Sequence, residues 1–229
     1  MDKEITDFLA ANWWWILLLL YFLNKIGGNT KVEKEYYNSG LFKKLKAKRP
    51  YKNGMLHGVA ETYYQNGNLE GRATYHKGVF CGRAEVYWEN GKPRLICDEV
   101  LDGKPYNGAA KTYDENGTLQ SEVHYKNGKM CGYSAEYYPN GNIKKEWEDI
   151  LDEKPNNGFY REYYENGQLL KEVFYEKGKR EGIQKEYREN GTLEWETPFK
   201  KDLEDGIMKR YNLNGEVEAT LVYKDGQKV

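Results

Sequence analysis

Three cysteines, three histidines and seven phenylalanines are few for a chain of 229 residues, and each scarcity excludes something. An odd, sparse set of thiols does not make the disulfide framework that staples small secreted domains. Cys81 and Cys131 occupy the same slot of two repeat units, each just before a turn glycine. Two units span about four strands, or roughly 19 Å of a flat sheet, whereas a disulfide needs α-carbons within about 7 Å. That pair is expected to stay reduced. His57, His76 and His124 share no short motif with cysteine or carboxylate at metal-ligand spacing, so no metal site is expected. There is no Gly-x-x-x-x-Gly-Lys run to cradle phosphate, and Asp114-Glu115-Asn116-Gly117 lacks the alternating ligands and distal glutamate of a calcium loop. Without clustered acids or a nucleophile beside its base, the reading is a non-enzyme with no cofactor. An excess of one charge is missing too. With 35 basic and 36 acidic residues, the net charge of −1 gives no electrostatic reason to expect nucleic acid.

Hydrophobic residues make up 39% of the chain, below the usual 45–50%, yet there are 21 tyrosines. A ring with a polar tip suits a surface half buried and half wet, as in an open sheet without a thick aliphatic core. An Asn-Gly pair recurs with its glycine at Gly67, Gly91, Gly117, Gly141, Gly167, Gly191 and Gly215, and Ser39-Gly40 opens the series, in steps of 24 to 27 residues. Such a period marks an architecture that stacks copies of one supersecondary unit. The sequence therefore predicts an all-β, elongated antiparallel meander of about eight tandem β-hairpins over residues 35–229.

Loop length fixes the register. A two-residue Asn66-Gly67 loop would pair Tyr64 with Leu69, whereas a three-residue loop, a type I turn plus a left-handed glycine, pairs Tyr63 with Leu69. The second is favoured because Tyr recurs four before the glycine in every unit: Tyr36, Tyr63, Tyr87, Tyr113, Tyr137, Tyr163, Tyr187 and Tyr211. Pro139 also suits the first central position of a type I turn. This register is expected to gather Tyr63, Leu69 and Tyr75, with their counterparts, on one face as an aromatic ladder. That ladder serves either packing within a thin sheet or contact with a partner. Glu61, Glu85, Lys111, Arg161, Lys185 and Lys209 lie between its rungs. Two units carry two-residue insertions ending in Lys104-Pro105-Tyr106-Asn107-Gly108 and Lys154-Pro155-Asn156-Asn157-Gly158, expected to widen the turns on the opposite edge.

The N-terminus differs from all of this. Phe8, Leu9, Trp13, Trp14, Trp15, Ile16, Leu17, Leu18, Leu19, Leu20, Tyr21, Phe22 and Leu23 belong to an uncharged stretch whose one polar residue is Asn12. As a helix, residues 8–23 reach about 24 Å, a little short of a bilayer core of about 30 Å, and outward extension or local thinning closes the gap. Acidic Asp2, Glu4 and Asp7 outnumber Lys3, unlike the positive start of a signal peptide, so residues 1–26 read as an uncleaved membrane helix. The clustered tryptophans leave a shallow interfacial helix as the alternative. Residues 27–34 read as a linker. Lys43, Lys44, Lys46, Lys48 and Arg49 follow the segment, which places the repeats on the cytoplasmic side of a single-pass cell-membrane protein. That basic run is either a lipid-headgroup contact, at about 1 kcal/mol per charge near the surface, or a solvated face of the first unit. Unpaired strands at the ends of the sheet would invite dimerisation, and the sequence does not fix the oligomeric state.

Glu162-Tyr163-Tyr164-Glu165-Asn166-Gly167-Gln168-Leu169, followed by Tyr175-Glu176-Lys177-Gly178-Lys179-Arg180-Glu181-Gly182, resembles the bacterial MORN-repeat variant family. The resemblance spans roughly residues 35–229. It implies an extended antiparallel sheet used for protein contact, and some similar proteins are named antitoxins or immunity proteins. Ser39-Gly40 departs from the motif, and Asp202 stands where the turn glycine before Gly206 belongs. The functional expectation is a membrane-anchored interaction scaffold with a protein partner. The alternative is an immunity protein that neutralises a toxin by direct binding.

Overall fold

The computed structural model describes residues 28–38 and 42–229. Within them the chain forms one antiparallel sheet of 21 strands, in which each long strand pairs with the next along the chain. The apolar segment read as a membrane helix, Phe8 to Leu23, and the Ser39-Gly40 turn lie outside the described residues. Among the described residues no helix is long and apolar enough to cross a membrane. The stretch 27–34 is not all linker: the strand Thr30–Tyr36 pairs with Leu45–Lys52 from Thr30 onward.

Two kinds of turn alternate along the two edges. At the Asn-Gly edge the Gly67 N–H donates to the Tyr64 carbonyl at 2.9 Å, and the Tyr64 N–H donates to Asn68 at 2.8 Å. Gly67 has a φ of +100°. This is the three-residue loop expected from the sequence, and Tyr63 pairs with Leu69. At the other edge the turns have two residues, both with positive φ, as in Lys77-Gly78 between the paired His76 and Val79. That geometry is type I′, whose twist matches the flanking strands.

The sheet departs from expectation in two ways. Tyr63 pairs with Leu69 but Thr62 pairs with Gly71, so Glu70 is an extra residue in its strand. The same shift recurs beside Tyr87, Tyr113, Tyr137, Tyr163, Tyr187 and Tyr211. A bulge of one residue reverses the alternation beyond it. Tyr75 consequently pairs with Gly58 and shares a face with Ala73 and Ala60, while Tyr63 and Glu61 occupy the other face. The single aromatic ladder is therefore two, one on each side. The insertions also behave differently from a widened turn: Asp102-Gly103 remains a two-residue turn between the paired Leu101 and Lys104. The extra residues fall on the strands, where the register shifts around Glu99. At this irregularity Asp98 Oδ2 accepts the Ala109 N–H at 2.9 Å. An added Cβ on Gly108 would lie 2.7 Å from that of Asp98, so only glycine fits.

One face holds the apolar packing. Its middle row runs across paired strands from Ala60 through Ala73, Ala84, Cys97, Ala110 and Val123. Larger side chains flank it: Tyr75 stacks on Phe80 with centroids 5.3 Å apart, and Ala84, Cys97 and Val100 form a buried cluster. Small residues in the middle row let the flanking rings lie close to the main chain. Cys81, Cys97 and Cys131 are all free thiols.

Candidate interaction surface

The second face is organised around charge. Cross-strand pairing aligns Lys48, Glu61, Arg72 and Glu85 in one row, and the row resumes with Lys111 and Glu122, then Glu146, Arg161 and Glu172, then Lys185, Glu196 and Lys209. Signs alternate along it except where Ile96 and Ala135 interrupt. Ion-pair distances include 2.7 Å for Arg161–Glu172, 3.2 Å for Lys111–Glu122 and 3.3 Å for Lys48–Glu61. Opposite charges directly across strands favour this register, and like charges there would oppose it. The second-strand members of the row were hidden in the sequence because the bulge reverses which residues share a face.

The tyrosines four before each turn glycine stand on this charged face. Tyr63 and Tyr87 donate to Glu61 and Glu85 on their own strands at 2.9 and 3.0 Å. Tyr163 donates to Glu146 at 2.7 Å and Tyr211 to Glu196 at 2.6 Å. Burial first, and then the Glu146 carboxylate, push the Tyr163 hydroxyl well above its ordinary range. For Glu85 the Arg83 guanidinium outweighs burial and, with Tyr87, holds the carboxyl below its ordinary value. Tyr113, Tyr137 and Tyr187 continue the row at the equivalent positions.

The residues that follow the ladder tyrosines differ from unit to unit, yet most of them tie the units together. Three residues before the turn glycine, Tyr64, Trp88, Tyr138, Tyr164 and Arg188 each donate to the main-chain carbonyl of the ladder tyrosine in the next unit. The acceptors are Tyr87, Tyr113, Tyr163, Tyr187 and Tyr211, at 2.6 to 3.1 Å. What these side chains share is length and a terminal donor, a signal visible in the sequence once one asks for chemistry instead of identity. Asp114 and Asn212 are shorter; each accepts main-chain N–H groups of its own turn, and the Asn212 Nδ2 donates to Glu216. The turn asparagine acts on both sides: Asn66 Oδ1 accepts the Asn68 N–H, and its Nδ2 donates to the Glu89 carbonyl of the next turn, both at 2.8 Å. The bulge residue adds a cation over the neighbouring ring, Arg94 lying 4.5 Å from the Trp88 centroid.

The basic run is largely engaged within the sheet. Lys46 and Arg49 both pair with Glu35 at 2.6 and 2.9 Å, Lys48 with Glu61, and Lys44 donates to the Gln65 carbonyl. Lys43 is exposed. These internal partners offset the positive potential that a headgroup contact would use.

Beside the charge row, the same face changes character along the molecule. Arg83, Asp98, His124 and Glu148 line its first part, in phase with Glu85, Ile96, Glu122 and Glu146. Towards the C-terminus the corresponding residues are Phe159 paired with Phe174, Ile183 with Pro198, and Ile207 with Val222. Ile183 and Ile207 are 52% and 53% exposed. On the opposite face an apolar hollow of about 300 Å³ is lined by Leu56, Ala60, Ala73, Tyr75, Phe80 and Ala84 among others. Among the described residues no three histidine, cysteine or acidic side chains converge as a metal would require.

A sequence profile described as MORN repeat variant matches residues 56–77, 106–127, 130–148, 157–177, 180–201 and 204–225, together more than half of the chain. No curated protein matches it.

Proposed function

Because the chain belongs to the MORN repeat variant family, whose repeats are generally non-catalytic and contact proteins or membranes, we propose that it is a protein-interaction scaffold. The observation that carries this reading is the hollow at Tyr75 and Phe80: a packed sheet face left open, whose lining is mostly apolar and also includes Arg49, Glu61, Arg72 and Glu85. A side chain or short peptide segment of a protein partner fits such a depression, with the stacked rings setting orientation. The apolar segment Phe8 to Leu23 would hold the array at the cell membrane, with the repeats on the cytoplasmic side. Proximity labelling from intact membranes, repeated with Phe80→Asp, tests both parts. The scaffold reading expects a protein recovered by the native chain and lost with the variant, and truncation of residues 1–26 should redistribute the labelling away from membranes. Recovery of the same proteins by both forms would reject the hollow as the contact. A toxin whose lethality is relieved on co-expression would make the immunity reading the correct one.

A further inference from the structure

The charged face of the last three hairpins is complementary to itself. Six strands form it: Gly158–Tyr163, Leu169–Glu176, Gly182–Tyr187, Leu193–Lys200, Gly206–Tyr211 and Val217–Lys224. Their charge row reads Arg161, Glu172, Lys185, Glu196, Lys209 and Thr220. Rotating a second copy by a half-turn about an axis parallel to the strands and centred between Lys185 and Glu196 reverses that order. Lys185 of one copy then faces the other copy's Glu196, and Glu172 faces its Lys209. The same operation lays Ile183 on Pro198, Phe174 on Ile207 and Phe159 on Val222. Moving the axis by half a strand spacing brings Lys185 onto its own symmetry mate, so the charges exclude an axis that lies on a strand, and centring it between Lys185 and Glu196 overlays all six strands.

We propose that this face is an isologous interface between two copies of this chain. Three of its six apolar residues are exposed, Ile183 at 52%, Ile207 at 53% and Val222 at 44%, and Phe159, Phe174 and Pro198 are half-buried. Such a row, running without interruption across six strands, differs from scattered apolar surface residues. Six strands about 4.8 Å apart and about seven residues long cover roughly 650 Å² per copy, about 1,300 Å² for the pair, which falls within the size of specific interfaces. Sheets packed face to face align their strands to within about 30°, so the match is best at the axis, where Lys185 lies. Among the described residues Lys185 forms no ion pair within the chain, although Glu172 and Glu196 are its cross-strand neighbours.

The inference is independent of the partner proposed for the hollow on the opposite face. Sedimentation equilibrium of the full chain in density-matched detergent tests it. The native chain should give a reversible monomer–dimer equilibrium. Ile183→Asp should weaken association by about a hundredfold, since each dimer loses two buried side chains. Lys185→Glu and Glu196→Lys should each stay monomeric alone, through facing glutamates or facing lysines, and should associate when mixed. That mixed pair restores both contacts across the axis, which a role confined to pairing within one chain would not do. Circular dichroism of each variant verifies that the sheet is retained. A native chain that is monomeric throughout, dimers that survive Ile183→Asp, or mixed variants that fail to associate would each overturn the proposal.

Discussion

The indole N–H of Trp88 donates to the main-chain carbonyl of Tyr113, 3.1 Å away and 25 residues along the chain. Tyr64 makes the corresponding bond to Tyr87 at 2.8 Å. These bonds join neighbouring units beyond the ladder of main-chain pairing. Tyr64→Phe should cost about 1 kcal/mol, the usual net worth of one hydrogen bond, and Trp88→Phe more, because it also trims the ring beneath Arg94. Urea unfolding at constant m-value measures this, and no change in midpoint for either variant would show that water replaces the donor without loss.

Glu153 holds a φ of +69° in the turn Asp152-Glu153, where most other turns of this kind carry glycine. A side chain in the left-handed region is strained by about 1–2 kcal/mol, and the greater freedom of unfolded glycine offsets part of any relief. Glu153→Gly should therefore stabilise the chain by about 0.5–1 kcal/mol. Asp202, at φ +73°, is a poorer target because its carboxylate accepts the Arg180 N–H at 2.8 Å. A lowered melting temperature for Glu153→Gly would contradict the strain argument.

Gly108 predicts the opposite sign. Its φ of +80° and the 2.7 Å approach of an added Cβ to that of Asp98 leave no room for alanine. Gly108→Ala should destabilise by about 1–3 kcal/mol, because the bulge must shift or the Asp98 bond to Ala109 must break. An unchanged denaturation midpoint would refute this.

Acid should loosen the charged face. Glu85 is held below its ordinary value of 4.5, first by Arg83, with burial opposing and Tyr87 assisting. In Glu61 burial opposes, and Tyr63, Lys48 and Arg72 together outweigh it. A carboxyl whose folded value is depressed contributes stability above its unfolded value and loses it as pH falls through the folded one. Stability should thus decline as pH drops below about 4.5, and Glu85→Gln should flatten part of that decline. An acid profile identical in Glu85→Gln and the native chain would remove Glu85 from the account.

Much of the fold was legible because turn chemistry is local. The constant tyrosine and Pro139 sufficed to pair Tyr63 with Leu69, and the pairing is as expected. What lay beyond the turn was less legible, since the extra Glu70 leaves no mark of its own and a one-residue shift sends Tyr75 to the other side. Ala60, Ala73 and Gly58 carried the missing signal: a large ring opposite glycine, in phase with alanines, belongs to the packed face. Asn-Gly was also ambiguous, because Asn66-Gly67 closes a three-residue loop whereas Asn127-Gly128 is itself a two-residue turn. The charge row could be seen only once both strands of each hairpin were in register.

Tyr64 reaches Tyr87, and Tyr164 reaches Tyr187, but neither reaches past its immediate neighbour. A hairpin copied in tandem would thus meet the same acceptors as its parent, and one deleted would leave none stranded. Each such event changes the span by about 10 Å. The molecule is built like a ruler whose graduations can be added or removed, so the distance between whatever is held at its two ends is open to adjustment by gene duplication alone.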